Sequence, residues 1–462
     1  MPSPIRTEDP ITVVGAGLVG SLLSIYLARR GHTVTVLERR PDMRKTQLAA
    51  GRSINLAISA RGLHALARVG LEREALDHAI PMQGRMVHAA DGSTNFQRYG
   101  KDDSQHINSI SRAWLNEMLM TRAEETGKVQ LQFETRIDRI ADGGRALHVH
   151  DEPTGTERVV ESAVTFGTDG SGSMVRDTLR TEHGAQVESD KLAHGYKELE
   201  IPAGPGGAFQ LEKHALHIWP RGQYMLIALP NQDGSFTCTL FLAYEGEPSF
   251  ATLRTPADVD ALFARDFADA KALMPDLTEQ FFANPTGHMV TVKATPWHHD
   301  ATLLLGDAAH AIVPFFGQGM NCGFEDCSAL ESILDSATDW PDAFSRFDAE
   351  RKPNADAIAD MAVENFVEMR DKTGDARFKL EKAIEQRLFA AFPGEFLSRY
   401  TLVSFELAPY RYAYRVGEVA QRIVSQLAEG IESADQIDLE RAGVLVREQL
   451  APLLAERTPE PE

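Results

Sequence analysis

Residues 11–38, ITVVGAGLVGSLLSIYLARRGHTVTVLE, constrain the fold more than any other stretch of this chain. They read as a short apolar strand, a glycine turn, a helix and a second strand that ends on an acid. Gly15, Gly17 and Gly20 have the spacing in which one glycine makes a tight turn, the next lets backbone approach a pyrophosphate, and the third lets helix and strand pack closely. The free N–H groups and dipole at the start of such a helix attract phosphate. Glu38 is placed to accept hydrogen bonds from a ribose diol and would repel a 2′-phosphate, so the site favours FAD or NAD. Small Ser24 and apolar Leu27 on the helix, Gly31 at its end and Val34 in the next strand fit the same unit.

The bulk properties narrow the setting. A chain of 462 residues can bury a large core and divides into two or three domains. Forty-seven basic against 67 acidic side chains leave a formal charge of −20, which argues against nucleic acid or an anionic membrane as partner. The start, MPSPIRTEDP, lacks the basic-then-apolar pattern of a signal peptide. No apolar run approaches the roughly 18 residues that span a bilayer. Cys238, Cys322 and Cys327 form neither a disulfide framework nor a zinc spacing, as expected of a cytoplasmic protein. His298, His299 and His310 lack partners at ligand spacing, so no metal site is expected.

Along the chain, a hairpin is expected around Asp91-Gly92, then a helix at Trp114–Thr126 and a strand near Val129–Phe133. LHIWP, YMLIALP and SFTCTLFLAY, within residues 193–245, alternate apolar and polar residues between turn residues, the pattern of an antiparallel sheet. A strand at Ala301–Leu305 returns the chain to the nucleotide domain. From about residue 341, ADAIADMAVENFVEMR, LEKAIEQRLFAAF and VGEVAQRIVSQLAEGI show helical spacing. The expected organisation is a discontinuous nucleotide domain (1–180 and 285–340, with a hairpin near 85–100), a β-sheet substrate domain (181–284), a helical region (341–456) and a disordered tail, RTPEPE (457–462).

Two further motifs point to a flavin. VTFGTDGSGSMVR (164–176) is a strand followed by Asp169-Gly170, then Ser173 and Arg176. LLLGDAAHAIVPFFGQGMN (303–321) is a strand, Gly306-Asp307, and a Pro-Gly turn opening a helix near Gly319. There Asp307 can hydrogen-bond a ribityl chain, and the helix N-terminus at Gly319–Asn321 puts partial positive charge beside a ring anion. No second strand–GxGxxG–helix is present for a nicotinamide cofactor; GPGG at 204–207 follows a proline and opens no helix. In this order the three motifs resemble the single-component flavoprotein aromatic hydroxylases. That family implies an α/β fold: a Rossmann-like FAD-binding domain of the para-hydroxybenzoate hydroxylase type, an inserted mainly antiparallel β-sheet substrate domain and a helical C-terminal region.

GRSINLAISARG (51–62), HIWPRGQYMLIALPN (217–231), SFTCTLF (235–241) and PFFGQGMNCGFEDC (314–327) narrow the resemblance to members that hydroxylate L-kynurenine. It implies non-covalent FAD, NADPH as transient co-substrate, and O2. Oxygen would pass through a flavin C4a-hydroperoxide to the carbon beside the aniline amine, giving 3-hydroxy-L-kynurenine in tryptophan degradation. The amine makes that ring electron-rich, so no residue is assigned as obligate acid or base. The charged, amphipathic C-terminus implies a form without the membrane anchor of eukaryotic relatives. A homodimer is left open, as are a hydroxylase of another aromatic acid, a non-hydroxylating flavoprotein and an unrelated NAD-binding protein.

The same resemblance implies site residues. Arg85 and Tyr99 match a pair that binds the substrate's carboxylate. Asn365, Glu368 and Met369 match a helix beside the substrate, and Tyr400 a tyrosine near its pocket. Leu216, Ile227, Leu229, Phe241, Phe315 and Phe316 match apolar walls around its ring. For the cofactor the expected contacts are Gly15, Gly17, Leu18, Gly20, Glu38, Arg39, Arg112, Asp169, Asp307, Pro314, Gly317, Gly319, Met320 and Asn321. The residues speak partly for themselves: arginine offers carboxylates a bidentate fork. Arg85 and Tyr99 flank Asp91-Gly92 almost symmetrically, so hairpin pairing brings them close, provided the register does not slip by one residue.

Overall fold

Ile11–Val14, Val34–Leu37 and Val164–Gly167 are short, apolar and almost wholly buried, as strands covered by helices on both sides must be. They pair in parallel, Ile11 opposite both Val34 and Val164. Val129–Gln132 extends this sheet beyond Val34–Leu37, and Thr302–Leu304 and then His298–His299 extend it beyond Val164–Gly167. The nucleotide sheet is thus assembled from distant parts of the chain. The computed structural model describes residues 5–45, 55–100, 102–368 and 376–456; the expected disordered tail lies outside them.

The helix Leu18–Arg29 is apolar all round, and Gly20 to Ala28 are all buried. It packs against the helices Arg112–Glu125 and Gly319–Leu334. Such a covered helix must come close to its own strand. A Cβ built on Gly20 would stand 2.0 Å from the Gly15 carbonyl oxygen and 2.5 Å from Thr168 Oγ1, so no larger residue fits.

The second sheet has seven strands, in spatial order Thr286–Thr295, Gln186–Ile201, Phe236–Ala243, Met225–Pro230, Ala215–Pro220, Gly84–His88 and Thr94–Arg98. All neighbours are antiparallel except Gly84–His88 beside Ala215–Pro220. The sheet continues to Thr295, past the expected end of the inserted segment at residue 284. Alternation gives it two characters. Trp219, Leu226, Ala228, Phe236, Cys238 and Leu240 pack into one core with Val259, Phe263 and Phe281 of the covering helices. Their neighbours Ile218, Ile227, Leu229, Thr237, Thr239 and Phe241 face a cavity.

The Asp91-Gly92 turn forms as read from the sequence, with Gly92 in the left-handed region (φ +84°) and Asp91 Oδ1 accepting from the Ser93 N–H. Its register sets Arg85 opposite Gln97, while the Tyr99 N–H donates to the Gln83 carbonyl. Arg85 and Tyr99 are therefore diagonal neighbours on one face.

The C-terminal part is helical: Trp340–Val367, Ala376–Ala391, Arg399–Ser404, Tyr410–Leu427 and Leu439–Leu445. Asp339 caps the first of these by accepting from the Asp342 N–H. Among the described residues, no helix is long and apolar enough to cross a membrane.

Gly20→Ala should destabilise the apoprotein by about 1–3 kcal/mol, because the added methyl must push strand and helix apart. Thermal melts of the flavin-free protein measure this; an unchanged midpoint would show that the contact relaxes freely.

Candidate active site

A cavity of about 830 Å³ runs from the glycine turn to the seven-stranded sheet. At the nucleotide end, Gly15 adopts φ +100°, and its Cβ would meet the Thr168 carbonyl oxygen at 2.9 Å. Gly17 is different: a Cβ there meets nothing within 4 Å and would project into open space. The helix that follows has no side-chain cap, so its first N–H groups are left for another acceptor. Glu38 accepts from the Ala16 N–H at 3.0 Å and pairs with Arg40 at 2.9 Å. Burial opposes its charge, but the Arg40 hydrogen bonds outweigh this and hold its pKa below the ordinary value. Gly15, Gly17, Leu18, Glu38 and exposed Arg39 line the cavity, as does Arg40, which the sequence reading missed; Gly20 lies beneath the turn.

The other two flavin motifs meet across the cavity. Asp307 opens onto it, and enclosure by the surrounding protein raises the pKa of its carboxyl. Arg112, first residue of its helix, lines the same space. Asp169 also lines it, but its carboxylate is turned to the helix Met174–His183, accepting from Ser173 Oγ and from the Met174 and Val175 N–H groups at 2.7 and 3.2 Å. Its side chain is thus engaged with the start of that helix. Arg176 joins the two motifs by donating to the Ser171 and Ala308 carbonyls.

Pro314–Phe316 forms a single tight turn, Gly317 takes φ +66°, and Gly319–Leu334 follows as a helix with no side-chain cap. Pro314, Gly317, Gly319 and Met320 line the cavity. Asn321 does not: its amide donates to the Ala57 and Gly317 carbonyls and accepts from the Ser59 N–H, so it braces the loop from inside.

At the far end lies Arg85. Its guanidinium carbon sits 5.4 Å from the Tyr99 ring centre and 5.3 Å from that of Tyr400, and the two rings stack at 5.2 Å. Burial raises the pKa of both phenols, so both stay protonated and able to donate. Arg85 Nε and Tyr99 Oη are buried without a hydrogen-bond partner, and among the described residues no carboxylate pairs with Arg85. A guanidinium held only by two aromatic rings and their hydroxyls, with no carboxylate partner, can still take up an anion.

Next to this cation, Leu216, Ile227, Leu229 and Phe241 of the sheet face Phe315 and Phe316 of the loop. Met225, Thr237, Thr239, Tyr196 and His288 join them without having been expected. Alternation was the available signal for three of these, since Met225 shares the face of Ile227 and Leu229, and Thr237 and Thr239 that of Phe241. Asn365 is absent from the wall; its amide donates to the Phe315 carbonyl at 2.6 Å and so steadies the loop. Glu368 caps the C-terminal end of the helix Trp340–Val367 and is not among the residues lining the cavity, and Met369 lies outside the described residues.

Behind the Gly306-Asp307 turn, His310 does find partners, contrary to the sequence reading. Its Nε2 meets Asp326 Oδ2 at 2.6 Å, with Cys322 beside it. Among the described residues this is the one cluster with metal-ligand spacing. Arg351 pairs with Asp326 at 2.8 Å, so a guanidinium already supplies the cation there. Burial disfavours the imidazolium, yet the Asp326 carboxylate holds the His310 pKa well above its ordinary value.

Gly17→Val should leave the fold intact and abolish flavin retention; full flavin occupancy in the variant would refute a pyrophosphate at this turn. Because the His310 pKa is raised on folding, its contribution is complete below the unfolded value near 6.5 and is lost as pH rises through the folded one. His310→Gln should therefore cost more stability at pH 6 than at alkaline pH, and denaturant titrations with equal penalties at both would mean a neutral imidazole.

The FAD binding domain family matches residues 8–362. Kynurenine 3-monooxygenase of Myxococcus xanthus (strain DK1622) is 62% identical over 450 residues, 97% of each chain. That of Cytophaga hutchinsonii is 47% identical over 424 residues, 91% of this chain and 94% of the other. A solved structure, the tetrameric form of 2-methyl-3-hydroxypyridine-5-carboxylic acid oxygenase, superposes with a TM-score of 0.66 at 19% identity, over 81% of this chain and 96% of that one; it shares the fold. By the family match over most of its length and by these relatives, the chain belongs to the FAD-dependent flavoprotein monooxygenases and, among them, to the kynurenine 3-monooxygenase family.

Proposed function

We propose that this protein converts L-kynurenine to 3-hydroxy-L-kynurenine, using non-covalently bound FAD, NADPH and O2, in the cytoplasm. The observation that carries this reading is Arg85, which has no carboxylate partner among the described residues and lines the same cavity as the apolar side chains of the sheet and of the Phe315-Phe316 turn. An aromatic substrate with an amino-acid tail satisfies both at once. The Arg85 fork would take the carboxylate, with the Tyr99 and Tyr400 hydroxyls as further donors. The ring would lie between the sheet side chains, Ile227, Leu229 and Phe241 among them, and the Phe315-Phe316 turn.

The cofactor end fits FAD. Open space at Gly17 and the uncapped first turn suit the pyrophosphate, Glu38 suits a ribose diol, and Asp307 a polyol chain. When bound and reduced, FAD supplies the activation of O2 that hydroxylation needs. The chain's own part is positional and electrostatic. Arg85 would fix one end of the substrate, the apolar walls would exclude water, and the uncapped start of the Gly319–Leu334 helix, which lines the cavity, would stabilise negative charge on a bound flavin. The aniline amine already activates the ring, so no residue of these walls is assigned as an obligate acid or base.

Anaerobic NADPH oxidation with and without L-kynurenine, then aerobic product identification, tests the reading. Faster flavin reduction and 3-hydroxy-L-kynurenine are expected; turnover of a simple phenol with kynurenine untouched would sink it. Light scattering of the purified holoenzyme tests a homodimer. Arg85→Ala should weaken L-kynurenine binding by roughly one to two orders of magnitude, since a charge-assisted hydrogen bond contributes about 1.5–3 kcal/mol. Flavin content should not change, Arg85→Lys should recover part of the loss, and decarboxylated kynurenine should distinguish the variants poorly. Normal kynurenine binding by Arg85→Ala would place the carboxylate elsewhere.

A further inference from the structure

Gln318 heads the helix Gly319–Leu334, lines the cavity beside the cofactor end, and is buried. Both ends of its amide are held. Nε2 donates to Ser59 Oγ at 3.3 Å, and Oε1 accepts from the Tyr410 hydroxyl at 2.8 Å. Tyr410 is fully buried and opens the helix Tyr410–Leu427. Ten residues before it, Tyr400 stacks on Tyr99 at the carboxylate end of the cavity, and Ser404 lines the same space. Arg61 fastens this segment from below. It donates to the carbonyls of Ala408 and, at 3.5 Å, Leu402, lies 3.9 Å from the centre of the Tyr410 ring, and pairs with Glu325 at 2.5 Å. Glu325 belongs to the helix that Gln318 heads. The stretch from Tyr400 to Tyr410 is therefore tied twice to one helix, once at its first turn and once at its flank.

We propose that Tyr410 is a positioning residue, acting through Gln318, that couples occupation of the substrate's carboxylate end to the loop at the cofactor. Tyr400 feels the carboxylate, the 400–410 segment is short and anchored by Arg61, and the Tyr410 hydroxyl ends on the residue that sets where the Gly317–Gly319 backbone stands. A hydrogen bond between neutral buried groups suits this task, because it fixes geometry without adding charge to the cavity. The inference rests on the proposed hydroxylation of kynurenine and adds a residue that touches neither substrate nor cofactor.

Tyr410→Phe in the holoenzyme removes one hydroxyl and no volume. With wild type stimulated by L-kynurenine, the variant should retain FAD and keep its KM for kynurenine within about twofold, while stimulation of NADPH oxidation falls roughly three- to tenfold, the size of one hydrogen bond. The share of NADPH yielding hydrogen peroxide instead of hydroxylated product should rise in parallel. Gln318→Met cuts the same tether from its other end, so a Tyr410 variant that fails to fold does not remove the test; adding Tyr410→Phe to Gln318→Met should then change nothing further. Unchanged stimulation and peroxide yield in either single variant, even with a lower melting temperature, would show a merely structural bond and overturn the inference. Absence of stimulation and product in wild type would overturn the proposed function itself, and this inference with it.

Discussion

The pairing of Asp326 with His310 and Arg351, continued through Glu325 to Arg61, holds the functional half of this molecule together. All five side chains are buried or nearly so, and together they carry three positive and two negative charges. They come from four elements: the Gly306-Asp307 turn, the helix Gly319–Leu334, the helix Ala60–Arg68 and the long helix Trp340–Val367. Asp326 also accepts from the Gly306 N–H, so the turn that aims Asp307 into the cavity is fixed by the same carboxylate. Removing one member of a buried ion pair typically costs about 3–5 kcal/mol because the other charge is stranded. Hydrophobic replacement of such a set is often neutral for stability, which makes geometric specification the better account of its presence.

The cavity built on this support is divided by chemistry. Its nucleotide end offers backbone N–H groups from two uncapped helices and the carboxylates of Glu38 and Asp307. Its far end offers one cation over two aromatic rings. Between them lie mostly apolar side chains supplied by alternate residues of three adjacent strands. A ligand spanning the middle would meet few groups able to solvate it, so polar recognition is concentrated at the two ends.

How far the sequence was legible depended on the distance over which each interaction acts. The glycine turn, the strand alternation and the Asp91-Gly92 hairpin are set by neighbours within a few residues, and all three form as read. The hairpin register even delivers Arg85 beside Tyr99. Side-chain direction was less legible. Asp169 sits in the motif that was read as a flavin contact, yet a nearer demand, the free N–H groups of the following helix, takes its carboxylate. Asn321 is spent on the loop in the same way. Both belong to the right motif and serve it from the inside.

The sequence by itself determined the nucleotide-binding unit and the mixed α/β class, because local periodicity and turn chemistry specify them. Tertiary structure alone decided which of those residues meet. Tyr400 reaches Arg85 across some 300 residues of chain, His310 finds Asp326 one helix later, and Arg61 finds Ala408 across 347 residues of chain. No periodicity encodes such pairings, since each depends on where whole helices pack once their apolar faces are buried. The Arg85 end of the cavity therefore depends on packing for Tyr400, while the glycine turn at its other end is set by its immediate neighbours.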